Sequence, residues 1–480
     1  MNASLRALIV EIDGASPQLL DPMLDRGLLP TLSSLAETGA SGPLRSQVPL
    51  HGTSAWSSLH TGTNPGKHGV FGPFVYEGYD WVHTDVNAPR EPALWEILAY
   101  HGLSSTVVNV PFATSGESVA AVPAACPPAS SVDEDLSAVR EAIGEYRLSP
   151  EPGVEGAERA LVDQRLAAFS HLLDVAAPDV GIVRFESPGR VNRGDADREQ
   201  LYRAIDAGLG DLLERVDADL VVVASAYGLA QSCGHELRVN EFLHRRGYLE
   251  SGPCRGKPAT PTEAECVAEP IGSGPIDRVI GGTRRVLPRA LLGRGSRSVD
   301  LAGSTAYLRS PVEYGLRVNR RGREPDGVVG ADRYETLRSE LIETLRDLTA
   351  PNGDPAFTDV VRREAYLWGP HVDEAPDVVA IPNEGVSLSA ALGGEVFDSR
   401  GGTPCRTPTG YLAVAGPGID PRTLSDAHLF DVAPTVLAAL SLPLSDRMDG
   451  APLPVAPRTG RMSYPQPATD AAIETDGGRR

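Results

Sequence analysis

The sequence predicts an α/β fold built on a doubly wound sheet with helices on both faces. Leu8–Ile12 is a short apolar run that ends in Asp13 and Gly14, which is typical of a central parallel strand whose carboxyl end faces a site. Leu220–Ala224 is the clearest buried strand, and the amphipathic helix Glu199–Val216 precedes it. This alternation of strands with helices is the pattern of the fold class.

Periodicity assigns the other elements in chain order. Apolar residues at helical spacing predict helices at Pro17–Arg26, Pro30–Glu37, Ser54–His60, Leu94–His101, Ala157–Val175, Glu241–Arg246, Arg333–Leu348 and Leu429–Leu440. Short runs of apolar and β-branched residues predict strands at Ser104–Val110, Val180–Phe185, Ala306–Asn319, Asp359–Tyr366, Asp377–Ile381 and Tyr411–Ala415, the last two in the core sheet.

Three segments lack such periodicity. Phe112–Ser131 is rich in Pro, Ala and Ser, so we predict a loop there. Residues 250–300 mix Pro and Gly with arginine-rich patches and suit an insertion or lid. From Val455 onward the chain is polar and rich in Gly and Pro, which predicts a disordered tail over residues 455–480.

The chain is acidic and poor in lysine. Among 480 residues, 64 Asp and Glu oppose 44 Lys and Arg, giving a formal net charge of −20, and Lys67 and Lys257 are the only lysines. This charge argues against non-specific binding to nucleic acid or to an anionic membrane. The composition is typical of cytosolic proteins from salt-adapted organisms.

The sequence predicts a soluble, cytoplasmic protein with reduced cysteines. No apolar run approaches the ~20 residues of a membrane helix, and no basic and apolar leader precedes the first strand. The five cysteines are scattered without a C-x-x-C pair, which fits a reducing compartment better than a disulfide framework.

Val48–Phe74 is the most informative stretch, and its glycines and prolines leave room only for a short helix at Ser54–His60. A turn that leads into a helix N-terminus collects anions, because free N–H groups and the positive end of the helix dipole meet there. The string Asn64-Pro65-Gly66-Lys67-His68-Gly69, after Thr61-Gly62, is the most distinctive in the chain.

This stretch resembles the nucleophile segment of the type I phosphodiesterase/nucleotide pyrophosphatase family, a branch of the alkaline phosphatase superfamily. Further strings follow in the family's order between Leu5 and Leu453, namely 91–98, 108–111, 239–249, 319–325, 369–377, 416–419 and 429–435. The resemblance implies one alkaline-phosphatase-like domain over residues 1–454, with an insert at about 250–375.

The resemblance also implies a two-metal hydrolytic centre, and most of its residues are substituted here. Family members hold two divalent metals, usually zinc, with three Asp, three His and a Thr or Ser nucleophile. Asp13 occupies the first ligand position, but Gly52 stands at the nucleophile position. The other five ligand positions carry Gly189, Arg193, Ala226, Tyr227 and Cys405. A single Asp cannot hold a metal pair, and an arginine would repel it.

We therefore expect a non-hydrolytic homologue without a metal cofactor. Arg190, Arg193 and Thr53 would bind a phosphorylated, nucleotide-like or sulfated anion in the old cleft, since guanidinium groups recognise phosphate. A role as a scaffold for a protein partner is also compatible with the loss of the metal ligands. A purely structural subunit is a third option, and it predicts a cleft filled by side chains such as Tyr227 and Trp56.

The alternative is an active hydrolase of phosphoric or sulfuric esters with a rebuilt zinc or other divalent-metal site around Asp13, Thr53 and Cys405. Ser54 is a second candidate for a shifted nucleophile, but it would need activation, and His60 lies on another face of the helix. A zinc site formed by Cys233, His235 and Cys405 is a further alternative. The competing interpretation is that these three residues form no site and occur in this pattern by coincidence.

Several of these residues also have plain structural interpretations. We favour Asp13 as the cap of the helix that starts near Ser16, a role compatible with metal binding. For Arg193, an ion pair with Asp195 or Glu186 fits the sequence as well as anion binding does. We expect Lys67 and His68 to shape their loop and not to contact phosphate.

Overall fold

The computed structural model describes residues 3–124, 134–151, 154–190, 194–232, 234–253, 260, 297–399 and 404–467. Within them, a central mixed sheet is flanked by helices, as the sequence predicts. A smaller α/β body, made mainly from residues 297–399, packs beside it.

The central sheet is mostly parallel and fully buried at its middle. Its strands are β1 (Ala7–Ile12), β2 (Ala40–Arg45), β3 (Ser105–Val110), β4 (Val119–Pro123), β5 (Val180–Phe185), β6 (Val221–Ala224), β7 (Thr409–Ala415), β8 (Arg422–Thr423) and β9 (Ala427–His428). Their order is β8-β2-β7-β6-β1-β5-β3-β4, with β9 also on β2. The antiparallel strand β7 lies between β2 and β6. The β-branched runs of β1, β5 and β6 suit this position because both faces of each strand are covered.

Helices cover both faces of the sheet. The helices of the described ranges are α1 (Pro17–Asp25), α2 (Pro30–Thr38), α3 (Gly52–Thr61), α4 (Pro65–His68), α5 (Leu94–Tyr100), α6 (Glu134–Ile143), α7 (Ala157–Ala176), α8 (Ser187–Arg190), α9 (Gly194–Arg215), α10 (Val239–Arg245), α11 (Ala331–Arg346) and α12 (Val432–Ala439), of which α10 and α11 belong to the second body. One core contains α3, α5 and α12 with Ala7 and Ile9 of β1. The opposite core contains α1, α2, α7 and α9 with Leu8 and Val10. Alternate residues of β1 therefore enter opposite cores.

The second body has its own core. A four-stranded sheet and a three-stranded sheet pack with α10 and α11 around Leu237, Leu316 and Leu337. The four strands are Ala306–Tyr307, Gly315–Val318, Val378–Pro382 and Phe357–Arg362. The three strands are Val386–Ser389, His235–Arg238 and Phe397–Asp398.

The remaining described strands form two-stranded pairs. They are Ala3–Leu5 with Val216–Ala218, Phe74–Glu77 with Asp80–His83, Gly228–Ser232 with Pro404–Thr407, Glu250–Pro253 with Arg297–Asp300, and Leu444–Ser445 with Arg461–Met462. Short 3₁₀ turns occupy Pro311–Glu313, Arg363–Ala365, Val372–Glu374 and Leu429–Asp431.

Four predictions about elements are corrected. The described part of Phe112–Ser131 is not all loop, because it contains β4 at the sheet edge. The stretch Ala306–Asn319 is broken into two strands by a 3₁₀ turn. Strand Val378–Pro382 belongs to the second body and not to the core sheet. The segment 455–467 is ordered against the body, where Tyr464 is buried, and residues 468–480 lie outside the described part.

Candidate functional site

The start of α3 and the carboxyl end of β1 meet at one edge of the sheet. His51 caps α3, and its Nδ1 accepts a hydrogen bond from the backbone N–H of Thr53 at 3.3 Å. Asp13 directly follows β1, whose neighbours are β5 and β6. Asp13 and α3 lie together at this edge, where the indole N–H of Trp56 contacts the Asp13 carboxylate.

Asp13 lies at the centre of a buried polar cluster. Its Oδ1 accepts hydrogen bonds from Trp56 Nε1 and Arg184 Nε, each at 3.0 Å. Its Oδ2 accepts from Arg184 Nη2 at 2.7 Å and from the Tyr227 hydroxyl at 3.0 Å. A carboxylate has about four lone-pair sites, so these donors occupy its full capacity. As placed, Asp13 has no free lone pair for a cation.

The electrostatics of this cluster follow from its burial. Asp13 is 4% exposed and Arg184 is 7% exposed, so their ion pair is shielded from water. Burial alone would lower the pKa of Arg184, but the charge and the hydrogen bonds of Asp13 outweigh it and raise that pKa above its usual range. Burial, followed by the negative charge of Asp13, raises the pKa of the Tyr227 hydroxyl, which therefore stays protonated.

A second buried ion pair lies behind the first. Arg165 Nη2 donates to Glu186 Oε1 at 2.7 Å, and the two side chains are 0% and 1% exposed. Asn109 links the pairs, because its side-chain amide donates to Glu186 and to the carbonyl oxygen of Arg184. These groups form one network of alternating charges at the end of β5.

Gly52 sits at the first position of α3 and faces Tyr227. A Cβ atom placed on Gly52 would lie 3.7 Å from the Tyr227 hydroxyl and from Cδ1 of Trp56. These are ordinary contacts, so a β-carbon fits there. Tyr227 thus lies next to Gly52, the residue that the family resemblance aligns with the nucleophile.

Ser54 and Thr53 differ in their surroundings. Ser54 is fully buried, and its hydroxyl donates to the carbonyl oxygen of Val70 at 2.6 Å while it accepts from Gln47 Nε2 at 3.0 Å. The Thr53 hydroxyl forms no hydrogen bond within the described structure. His60 Nε2 lies 2.8 Å from Glu11 Oε1, and no imidazole of the described chain contacts Ser54. Ser54 is therefore placed as a packing residue.

Arg406 brings a second positive charge to the cluster, beside Tyr227. Its guanidinium lies 5.2 Å from the centroid of the Tyr227 ring. Its Nε is buried without a hydrogen-bond partner, and no carboxylate of the described chain lies within ion-pair distance.

Some of the other predicted site residues lie outside the part of the chain that the structure describes. The structure gives the backbone of Arg190 at the end of α8, but Arg193 and Cys233 lie outside the described residues. Cys405 is disulfide-bonded, so the prediction of reduced cysteines is wrong for this residue. Every other cysteine lies outside the described ranges, and scattered spacing gave no sign of the pairing. A disulfide sulfur is not a thiolate ligand.

No group of three or more Asp, Glu, His or Cys side chains in the described ranges could hold a metal ion.

The prediction that Asp13 caps the first helix is wrong. Helix α1 starts after Ser16, which makes no side-chain cap hydrogen bond, and the Asp13 carboxylate bonds to Arg184, Trp56 and Tyr227 instead.

Arg184 is the site residue that the sequence interpretation missed, whereas Trp56 was expected in the cleft only for a purely structural subunit. A signal existed for Arg184, because it interrupts the apolar run Val180–Phe185, in which every residue is buried. A buried arginine needs an acidic partner, and Asp13 ends the adjacent strand. Trp56 lies four residues after Gly52, which is one turn further along the same face of α3.

The family described as "Type I phosphodiesterase / nucleotide pyrophosphatase" matches residues 7–404. No curated protein sequence matches the chain. None of the described helices is both long enough and apolar enough to cross a membrane.

Among solved structures, the chain is similar to phosphonoacetate hydrolase from Sinorhizobium meliloti in complex with phosphonoformate, with 18% identity, a TM-score of 0.58, and coverage of 91% of this chain and 95% of that chain. It is also similar to wild-type alkaline phosphatase PafA, with 14% identity, a TM-score of 0.56, and coverage of 95% and 99%. An inactive variant of murine ectonucleotide pyrophosphatase/phosphodiesterase 5 in complex with AMP matches at 12% identity and a TM-score of 0.50, covering 92% and 96%. These likenesses establish an alkaline-phosphatase-like fold.

Proposed function

This chain belongs to the type I phosphodiesterase/nucleotide pyrophosphatase family, and we propose that it is a non-hydrolytic member that binds an anion or a protein partner. One observation carries the proposal. The single acidic residue left from the family's ligand set, Asp13, is saturated by Arg184, Trp56 and Tyr227. An internal guanidinium thus takes the position where a cation would be held.

The chemistry of the substitutions supports the loss of hydrolysis. An in-line displacement at phosphorus needs a nucleophile and a positive charge that stabilises both the attacking and the leaving oxygen. Gly52 offers no oxygen, and the charge of Arg184 is neutralised by Asp13. The Thr53 hydroxyl forms no hydrogen bond to a base in the described structure, because the nearby His51 Nδ1 accepts from the backbone N–H of Thr53 instead, so the hydroxyl is not activated.

An anion remains the best small-molecule candidate for this cleft. The start of α3 supplies backbone N–H groups and the positive end of the dipole. Arg406 supplies a positive charge without a carboxylate partner in the described chain. We keep Thr53, Arg190 and Arg193 as expected contributors, with a phosphorylated or sulfated group as the ligand class.

The first test measures metal content and turnover. We expect the purified protein to contain no stoichiometric zinc by elemental analysis and to leave bis(4-nitrophenyl) phosphate intact, because Asp13 has no free lone pair. Assays should be run in high salt, given the acidic composition. Stoichiometric metal together with turnover that is lost in Asp13→Ala, but kept in the surface control Asp25→Ala, would overturn the proposal.

The second test asks whether the cleft binds anions. Sulfate and AMP should raise the melting temperature of the wild-type protein, and this shift should disappear in Arg406→Gln. The exposed Arg422 offers the matched control Arg422→Gln, which should keep the shift. If neither anion shifts the wild type, the anion role fails and only the partner role is left.

A further inference from the structure

A cavity of ≈ 240 Å³ lies away from the Asp13 cluster, between the segment after α4 and the second body. Val70, Phe71 and Phe74 form an apolar side, and Tyr76 continues it. Arg309 and Arg317 also line the cavity. Asp13, Arg184 and Tyr227 do not line it, so it is a separate site.

Arg309 is held rigidly but keeps one free donor group. Its Nε and Nη2 each donate to the carboxylate of Glu313 at 2.7 Å, and the guanidinium lies 4.1 Å from the centroid of the Tyr76 ring. Nη2 also donates to the carbonyl oxygen of Glu374. Nη1 donates to no described residue, although Arg309 is only 6% exposed.

Arg317 also keeps one nitrogen without a partner in the described structure. Its Nε donates to Glu324 at 2.8 Å, and its Nη1 donates to the carbonyl oxygens of Asp373 and Ala375 at 2.7 and 2.6 Å. Nη2 has no partner in the described structure. Burial, followed by the positive charges of Arg309 and Arg323, lowers the pKa of Arg317. A negative group placed in the cavity would therefore relieve repulsion between arginines.

We propose that this cavity binds a small organic carboxylate whose apolar body packs on Phe74 and whose carboxylate accepts hydrogen bonds from Nη1 of Arg309 and Nη2 of Arg317. The volume corresponds to roughly eight waters at about 30 Å³ each, which suits a ligand of about ten non-hydrogen atoms. A monoanion fits better than a phosphate dianion, because Glu313, Asp373 and Glu374 also line the cavity.

The test is isothermal titration calorimetry with benzoate, benzamide and phenyl phosphate as probes. We expect benzoate to bind, and benzamide and phenyl phosphate to bind at least about tenfold more weakly. Arg309→Lys and Arg317→Lys each keep the charge but remove a positioned donor, so each should weaken benzoate binding about tenfold. Arg362→Lys is the matched control, because Arg362 is a half-exposed arginine of the same body and does not line the cavity.

A third variant guards against loss of folding in the arginine variants. Val75 lines the cavity, is 37% exposed and contributes no charge, so Val75→Trp should weaken benzoate binding by narrowing the cavity. Circular dichroism and melting curves identify the folded variants. The proposal is overturned if benzoate does not bind the wild type, if all folded cavity variants bind it unchanged, or if phenyl phosphate binds more tightly than benzoate.

Discussion

Asp13 and Arg184 illustrate how a charge inside a protein is made tolerable. Removing two ions from water costs several kcal/mol per ion, and only close geometry with further hydrogen bonds offsets this cost. Trp56 and Tyr227 provide those bonds, so both oxygens of Asp13 are satisfied. Buried ion pairs contribute little net stability as a rule, but removing one member leaves the other buried and unpaired.

This dependence gives a double-mutant prediction. Asp13→Ala leaves the guanidinium of Arg184 buried and unpaired, so the free energy of unfolding should fall by about 3–5 kcal/mol. Arg184→Met should cost a similar amount, whereas the double variant should cost clearly less than the sum. Urea unfolding followed by circular dichroism measures all three values.

The control for this cycle is an exposed ion pair. Arg215 and Asp174 are both more than half exposed, so Asp174→Ala should change the free energy of unfolding by less than about 0.5 kcal/mol. Strict additivity of the Asp13 and Arg184 substitutions would mean that the two side chains do not interact in solution.

Part of the site could be predicted, residue by residue, from the sequence. Alignment of motifs placed Asp13, Gly52 and Tyr227 at one cleft, and the structure brings these three together. The pairing of Asp13 with Arg184 depends on which strands are neighbours and on their register, where Glu11 lies opposite Arg184. Local sequence patterns do not determine that register.

The α4 loop shows how one element joins distant parts of the chain. The side-chain oxygen of Asn64 accepts hydrogen bonds from the backbone of Gly66 and Trp368, and Lys67 Nζ donates to Asp449 at 2.7 Å. A Cβ atom on Gly66 would lie 2.4 Å from the carbonyl oxygen of Trp368, so only glycine fits. The expectation that this string shapes its loop is consistent with these contacts.

His68 in this loop predicts a pH dependence. Burial, followed by the charge of His371, lowers the pKa of His68 to about 3, against 6.5 for the free side chain. Its two ring nitrogens contact the Ser58 hydroxyl at 2.8 Å and the backbone N–H of Val70 at 3.1 Å. The folded state therefore keeps this imidazole neutral at pH values where the unfolded chain binds a proton.

The direction in which the free energy of unfolding changes with pH follows from proton linkage. Between pH 6.5 and about 3 the unfolded state holds more protons, so the contribution of His68 is present above pH 6.5 and is lost as the pH falls. We expect the free energy of unfolding to fall by up to about 1.4 kcal/mol per pH unit from this group. His68→Gln should flatten the slope between pH 6.5 and 5, and His171→Gln on α7 should not. Equal slopes in all three proteins would contradict this assignment.

The existence of a strand was easier to predict than the sheet to which the strand belongs. Strand Val180–Phe185 matches its prediction at both ends because its apolar run is bounded by polar residues. Strand Val378–Pro382 was also recognised, but a buried strand of one sheet has the same pattern as that of another. Its assignment to the second body depends on pairing with Gly315–Val318 and Phe357–Arg362, which is a long-range property.

The whole molecule combines arginine-rich interior networks with an acidic overall charge. In the second body, the carboxylate of Asp377 accepts hydrogen bonds from Arg323 and from Tyr334, which keep the pKa of this carboxyl well below its usual range despite burial. Arg309 and Arg317 are likewise used internally. Part of the positive charge is thus committed to buried pairs, while the chain as a whole carries 20 excess negative charges.

This excess charge predicts stabilisation by salt. Self-repulsion among like charges destabilises the compact state, and raising the salt concentration from 0.1 M to 1 M shortens the Debye length from about 10 Å to about 3 Å. At pH 7 we expect sodium chloride to raise the melting temperature by a few degrees over this range, measured by differential scanning calorimetry. The same titration at pH 5, near the isoelectric point of ≈ 5.0, should give a much smaller rise, because the net charge is then close to zero. An equal rise at both pH values would assign the effect to exclusion of salt from the protein surface and not to screening.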